Sequence, residues 1–113
     1  MPGKFELFKG KRGEFRFRLK ATNGQIILAS QGYKTKVAAK NGIGSVQRNS
    51  VHDTRFERKN GRGRFRFSLR ATNGRVVGTS EAYKTEKACE NGVKSVMKNA
   101  SSAKVQDLTA AAA

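Results

Sequence analysis

The chain carries the same sequence pattern twice, at a constant offset of 50 residues. Nineteen of the 38 positions from 13 to 50 are identical to their partners from 63 to 100. The shared blocks include Phe-Arg-Phe, Ala-Thr-Asn-Gly, Tyr-Lys-Thr and Asn-Gly. Because two copies are too few for a solenoid, the duplication predicts one closed unit built from two halves.

The length of each copy also favours a shared core. One copy spans about 45 residues, which is close to the smallest chain that buries enough surface to fold alone. We therefore expect one compact domain over residues 1–113, made of repeats at about 4–50 and 55–100. The remaining residues, 101–113, end in four alanines and are predicted to form a flexible tail.

Alternating patterns predict three strands in each repeat. Apolar residues alternate with mainly basic ones over 15–21 and 65–71, which is typical of a strand with one buried face. A shorter strand is predicted before each of them, at 5–8 and 55–58, and a hairpin partner after it, at 25–30 and 75–80.

The sequence also predicts the type of one loop in each repeat and a difference in length between two others. Asn-Gly at 23–24 and 73–74 favours a type I′ turn, in which both central residues have positive φ. The first strands of the two repeats match at an offset of 51 rather than 50, so one loop is a residue longer. We place that insertion in the loops at 9–13 and 59–63, because loops tolerate it and strands do not.

A helical spacing follows the third strand of each repeat. Small or apolar residues stand at i, i+4 and i+7, namely Ala39, Ile43 and Val46, and Cys89, Val93 and Val96. Thr35 and Thr85 are predicted N-caps, since a hydroxyl can accept from the free amides of the first turn.

The helices contain two further signals. Asn49 and Asn99 are expected at left-handed C-terminal positions. Gly42 and Gly92 lie inside the helices, where glycine costs about 1 kcal/mol relative to alanine. We expect them to allow a close approach of the helix to the sheet or to the other helix.

The predicted fold class is α+β: two tandem βββα repeats related by a pseudo-twofold axis. An antiparallel sheet would form one layer and the two helices the other. The pattern leaves open whether the six strands form one continuous sheet or two three-stranded sheets that exchange strands. Tyr33 and Tyr83, each just before a helix, are interpreted as packing anchors with a hydrogen-bonding tip.

The repeated blocks resemble the YegP-like family of small bacterial proteins. The resemblance covers about residues 4–100 and rests on Phe-Glu, Phe-Arg-Phe-x-Leu-x-Ala-x-Asn-Gly, Ser-x-x-Tyr-Lys-Thr and the Asn-Gly-x-x-Ser-Val-x-x-Asn block. It implies the same two-layer arrangement of βββα motifs, which single-copy members would reach by forming dimers. It implies no activity and carries over no catalytic residue.

Catalysis finds little support among the side chains. His52 is the sole histidine and Cys89 the sole cysteine, and neither has a counterpart in the other repeat. Among the eight acidic residues only Glu6 and Glu57 correspond, and salt bridges to arginines on a neighbouring strand account for them. We therefore predict a non-enzyme with no catalytic residue, no metal site and no cofactor, and we interpret Cys89 as a small buried residue.

Charge is the main indication of function. Twenty-four basic residues against eight acidic ones give a net charge of +16, spread over both halves of the chain. Such a field attracts polyanions. If the phenylalanines face the helices, the alternating basic residues point away from them and form an arginine-rich outer face. The candidate polyanion-binding residues are Arg16, Arg18, Lys20, Arg64, Arg66 and Arg70.

Two functional hypotheses follow from these patterns. The first is binding of nucleic acid, or another polyanion, without sequence preference. The alternative is a protein-interaction or structural module whose charge serves solubility or an acidic protein partner. The RNA-recognition motif is excluded because its strand order differs and the phenylalanines are predicted to be core. We expect a monomer with an internal pseudo-dimer, a cytoplasmic location and no membrane partner.

Overall fold

The structure, a computed structural model, describes residues 3–109 and contains two copies of a strand-strand-strand-helix unit followed by a seventh strand. The first unit comprises β1 (Lys4–Lys9), β2 (Phe15–Lys20), β3 (Ile26–Ala29) and α1 (Lys36–Asn49). The second comprises β4 (Phe56–Gly61), β5 (Arg64–Arg70), β6 (Val76–Thr79) and α2 (Glu86–Asn99), and β7 is Lys104–Asp107. Short 3₁₀ turns at Asp53–Arg55 and Ala100–Ser102 follow the two helices.

All seven strands belong to one continuous sheet, in the order β4-β5-β6-β3-β2-β1-β7. The two repeats meet in its middle, where Ala29 of β3 pairs with Thr79 of β6. The pairs among β1 to β6 are antiparallel. The α+β arrangement of two βββα repeats in two layers is confirmed, and a continuous sheet replaces the alternative of two exchanged ones.

The core lies between one face of this sheet and the two helices. Phe17 and Leu19 of β2 are 1% and 0% exposed, and Phe67 and Leu69 of β5 match them. Each helix contributes its predicted apolar stripe, including the buried Cys89, whose thiol pKa is raised by burial. Both helices also contact strands of the other repeat, since α1 packs on β5 and β6 and α2 on β3. The core is therefore shared between the repeats.

The helix glycines provide space for a tyrosine. A Cβ at Gly42 would lie 2.5 Å from the hydroxyl oxygen of Tyr33 and 2.9 Å from the Phe17 ring. Gly92 makes the same close approach to its equivalent tyrosine and phenylalanine. Each tyrosine ring stacks on that phenylalanine, with ring centroids 6.1 Å and 6.3 Å apart. The predicted packing anchors are confirmed, but within residues 3–109 neither phenol makes the expected hydrogen bond.

The helix ends follow the prediction at one end only. Thr35 and Thr85 are N-caps whose hydroxyl oxygens accept from the amides three residues on, at 3.0 Å. Asn49 and Asn99 remain helical, so the expected left-handed conformation is wrong. Their side-chain amides instead donate to the carbonyl oxygen four residues earlier, at 2.8 Å, which holds the last turn in place.

The predicted type I′ turns at Asn23-Gly24 and Asn73-Gly74 are wrong. Gly24 and Gly74 have positive φ but the preceding asparagines do not, so these are not type I′ turns. Each is a three-residue loop in which the glycine amide donates back to an alanine carbonyl, with a register shift in the strand before it. Positive φ at two successive residues occurs instead at Arg62 and Gly63, between β4 and β5. The β1–β2 loop is longer, as the offset of 51 predicts.

The predicted flexible tail contains the seventh strand. β7 pairs with β1, and this is a parallel addition to an otherwise antiparallel sheet. Asp107 forms an ion pair with Lys36 at the start of α1, and the Leu108 amide donates to the Leu7 carbonyl at 2.8 Å. The side chains of β7 are mostly exposed, so backbone pairing with the β1 edge and the ion pair to Lys36 hold this segment on the sheet. Of the expected tail, residues 110–113 lie outside the described residues.

The first strands of the two repeats, β1 and β4, differ because β1 has β7 as a neighbour and β4 lies at the edge of the sheet. Leu7 of β1 pairs with Asp107 of the neighbouring strand β7 and is 0% exposed. Its repeat equivalent is Arg58 of β4, whose guanidinium donates to Glu90 at 2.8 Å and to Asp53 at 2.8 Å. Across residues 3–109 no strand pairs with the outer edge of β4. Charged residues on an open edge disfavour further pairing, which matches the exchange of leucine for arginine.

Candidate nucleic-acid interface

The six candidate basic residues lie on one face of the sheet. We define the outer face as the sheet surface opposite α1 and α2. In β2, Phe17 and Leu19 point to the helices, so the residues that alternate with them point outward. The same alternation applies to β5. The outer face therefore carries Arg16, Arg18 and Lys20 on β2 and Arg64, Arg66 and Arg70 on β5.

These residues form two rows related by the pseudo-twofold axis. β6 and β3 separate β5 from β2, so the rows are about 14 Å apart at the usual spacing of neighbouring strands. The antiparallel pairing across those strands makes the two rows run in opposite directions. Between them lies an uncharged strip formed by Ile26, Ala29, Val76 and Thr79.

Glu6 of β1 organises the first row. Its carboxylate accepts from Arg18 Nε at 2.7 Å and lies 3.2 Å from Lys20 Nζ and 3.6 Å from Lys4 Nζ. Burial alone would raise the pKa of Glu6, but the hydrogen bonds and charges of Arg18 and Lys20 hold it below its ordinary value. Three cations thus surround one ionised carboxylate, and the row keeps a surplus of positive charge.

Arg18 is also positioned by an aromatic ring. Its guanidinium carbon lies 4.6 Å from the centroid of Phe8, a cation–π contact. Phe8 is the only aromatic residue on the outer face among residues 3–109. Since the guanidinium covers its ring, the described part of this face offers no open aromatic platform.

The second row has fewer acidic partners than the first. Glu57 accepts from Arg70 at 2.9 Å, and this interaction together with that of Lys59 lowers the pKa of its carboxyl. The predicted salt bridges of Glu6 and Glu57 to neighbouring arginines are thus confirmed.

Arg64 and Arg66 differ from the other four candidate residues, each of which is paired with a carboxylate. Both are exposed and neither has an ion pair within residues 3–109. In the first repeat, Glu14 accepts from Arg16 Nε at 3.0 Å. The position of Glu14 is occupied by Arg64 in the second repeat, so a carboxylate is exchanged for a second guanidinium.

Three further lysines join the outer face, and the sequence interpretation missed them. They follow from the strand pairing: Lys4 is opposite Lys20, Lys59 is opposite Arg66, and Lys104 is opposite Lys4. Extending the predicted first strands by one residue would have found Lys4 and Lys59. Lys104 could not be found because its segment carries no strand pattern.

The structure places the single histidine and the single cysteine in different surroundings. His52 is exposed in the link between the repeats, and Cys89 is buried in the core. Within residues 3–109, no group of three or more histidine, cysteine or acidic side chains is arranged to hold a metal ion. No helix in that range is both long and apolar enough to cross a membrane.

Comparison with known proteins gives one family match and several relatives. A family described as Domain of unknown function (DUF1508) matches residues 11–57 and again 61–107. The UPF0339 protein in the ptx operon 5′ region of Stutzerimonas stutzeri is 59% identical over 59 residues, 52% of this chain and 53% of that protein. The UPF0339 protein YegP of Escherichia coli is 49% identical over 59 residues, 52% of this chain and 54% of that protein. The chain thus spans about half the length of these curated relatives.

Two solved structures resemble the whole fold. The solution structure of YegP from Escherichia coli, a protein of unknown function, has a TM-score of 0.92 at 43% identity and covers 98% of this chain and 97% of that one. That of a UPF0339 protein from Shewanella oneidensis has a TM-score of 0.93 at 41% identity, with 99% and 96% covered. None of these names describes an enzyme.

Proposed function

The chain belongs to the family of the domain of unknown function DUF1508, and we propose that it binds the backbone of nucleic acid through the outer face, without catalysis and without sequence preference. The observation that carries this proposal is the pair of basic rows on a sheet face that neither helix covers. Guanidinium groups donate two parallel hydrogen bonds to phosphate oxygens, and this suits them to a phosphate backbone.

The composition of the outer face favours contact with the backbone over contact with bases. Modules that read single strands stack bases on exposed aromatic rings. Here the ring of Phe8 is already covered by Arg18. The strip between the rows consists of small and aliphatic side chains with few groups that could read a base edge. Binding would depend on charge and shape.

The arrangement of the rows favours a duplex. The two strands of a duplex run antiparallel and are related by twofold axes, as the two rows are. A row separation of about 14 Å is also close to the width of the major groove, about 12 Å. Each row can therefore follow one phosphate backbone while the uncharged strip spans the groove.

A titration at two salt concentrations tests this function. We expect the protein to bind a 20-base-pair duplex at 50 mM salt and to lose affinity about 500-fold at 200 mM, if about five phosphates are neutralised. Two duplexes of unrelated sequence should bind equally, and a single strand of the same length more weakly. Absence of binding at 50 mM, or an affinity indifferent to salt, would refute the proposal and favour an acidic protein partner.

A further inference from the structure

Two equivalent clefts lie away from the outer face, one at each hairpin turn of the central strands. The first cleft is lined by Thr22, Asn23, Lys94, Ser95 and Lys98, with Asn99 beside them. The second cleft is lined by Thr72, Asn73, Ser45, Arg48 and Arg55, with Asn49 and His52 beside them. The threonine, asparagine and serine of one cleft are the repeat equivalents of those in the other.

Each cleft takes its two walls from different repeats. In the first, the Ala-Thr-Asn-Gly turn after β2 faces the C-terminal part of α2. In the second, the turn after β5 faces the C-terminal part of α1. Neither cleft exists within one repeat, so the duplication creates a matched pair of composite sites only when the repeats pack together.

Hydrogen bonds inside the protein account for some of these shared residues but not all. The Asn23 side chain accepts from the Gln25 amide at 3.0 Å and fixes the turn, and Asn73 does the same. The Asn99 amide donates to Ser95 at the helix end. The hydroxyls of Thr22 and Thr72 make no hydrogen bond within residues 3–109, and the turn position they occupy accepts most residue types.

The cations of the clefts are also unused. Lys94 and Lys98 stand one helical turn apart, an arrangement in which like charges oppose helix formation. Neither forms an ion pair within residues 3–109, and the same holds for Arg48 and Arg55 of the second cleft. By contrast, Lys36 and Arg58 elsewhere near the helices are each paired with a carboxylate.

We propose that each cleft binds one phosphate group, as free phosphate or as a phosphate monoester, so that the protein holds two. Ammonium or guanidinium groups on the helix supply the charge, and the threonine and serine hydroxyls donate to the phosphate oxygens. The partial negative charge at the C-terminal end of a helix repels an anion, and the two cations of each cleft offset that repulsion. This activity is separate from nucleic-acid binding by the outer face.

The test is an NMR titration with inorganic phosphate at constant ionic strength. We expect saturable shifts of the amides of Thr22 and Ser95 and, independently, of Thr72 and Ser45. The variant K94Q/K98Q should weaken the first cleft by about tenfold and leave the second unchanged. Glutamine keeps a similar helix propensity, so the fold should persist. The matched control K40Q/K87Q removes the same charge from exposed helix positions outside the clefts and should leave both unchanged.

Two results would overturn the proposal. Shifts spread over the whole basic surface, or equal weakening in K94Q/K98Q and the control, would mean general ion screening. The second result uses a duplex without terminal phosphates, which contains phosphodiesters only. If it shifts the cleft amides as much as inorganic phosphate does, the clefts belong to the nucleic-acid interface. The variant R64Q/R66Q separates the two sites, because it should leave phosphate binding unchanged whether or not the outer face binds nucleic acid.

Discussion

Replacing Arg64 and Arg66 by glutamine lowers the affinity for duplex DNA by at least about tenfold at 100 mM salt and makes the salt dependence shallower by about two units of slope. Among the six candidate residues, these two have no carboxylate partner within residues 3–109, and the second repeat has an arginine where Glu14 stands in the first. Loss of two phosphate contacts predicts both effects together. Fluorescence anisotropy at several salt concentrations measures them.

A charge-matched control makes this result specific. The variant K40Q/K87Q removes the same two charges from the exposed helical side of the protein. If binding depends on the outer face, this control changes the affinity by less than about threefold, because distant exposed charges are largely screened. Equal losses in the two double variants would show that net charge alone attracts the DNA and that no surface is selected.

We expect that residues 1–50 alone will not form a stable folded monomer. They lack β5 and β6, against which α1 packs, and β7, which covers the β1 edge. The half-chain would lose the cover that α2 gives to β3 and would leave the inner edge of β3 unpaired, although α1 would still contact β1 and β2. We expect it to be unfolded, or to dimerise so that a true twofold axis replaces the pseudo-twofold. Sedimentation and amide NMR spectra distinguish these states.

Complementation provides the control for the half-chain. Adding residues 51–113 to residues 1–50 should restore a spectrum close to that of the intact protein, since the link between the repeats is short and exposed. A dispersed spectrum from a monomeric 1–50 fragment would contradict a shared core. It would instead mean that each repeat folds independently.

Periodicity predicted the strands and helices because a duplicated pattern reports the core twice. The alternation of Phe17 and Leu19 with basic residues was sufficient to identify the buried face of β2, and the helical spacing identified the stripe containing Val46. Thr35 could be recognised as an N-cap from its position alone. These features depend on residues that are close together in the chain, so they can be predicted from the sequence.

Features that depend on distant neighbours could not be predicted. β7 has no alternating pattern, and it is a strand because the β1 edge offers hydrogen bonds and Lys36 pairs with Asp107. The Asn23-Gly24 turn takes a three-residue form that accompanies a register shift between Leu19 and Lys20, and this shift depends on how β2 and β3 pair. Each cleft combines a turn and a helix that are far apart in the chain, so no local sequence pattern predicts it.

The outer face was partly predictable. Alternation placed the six candidate residues correctly with respect to the helices. It could not show that Glu6 accepts from Arg18, because the side chains must first be brought together by the β1–β2 register. The positions of the charges could thus be predicted, but only the structure shows that all three basic residues of the β2 row have carboxylate partners whereas in the β5 row Arg70 alone has one.

The most direct test of the central claim is to map the surface of the intact protein that contacts duplex DNA. In an amide NMR titration with a 20-base-pair duplex at 50 mM salt, we predict shifts along β2, β5 and the β3–β6 junction. The chemical shifts of amides in the middle of α1 and α2 should not change. Shifts concentrated on the helices, with β2 and β5 unchanged, would contradict the account.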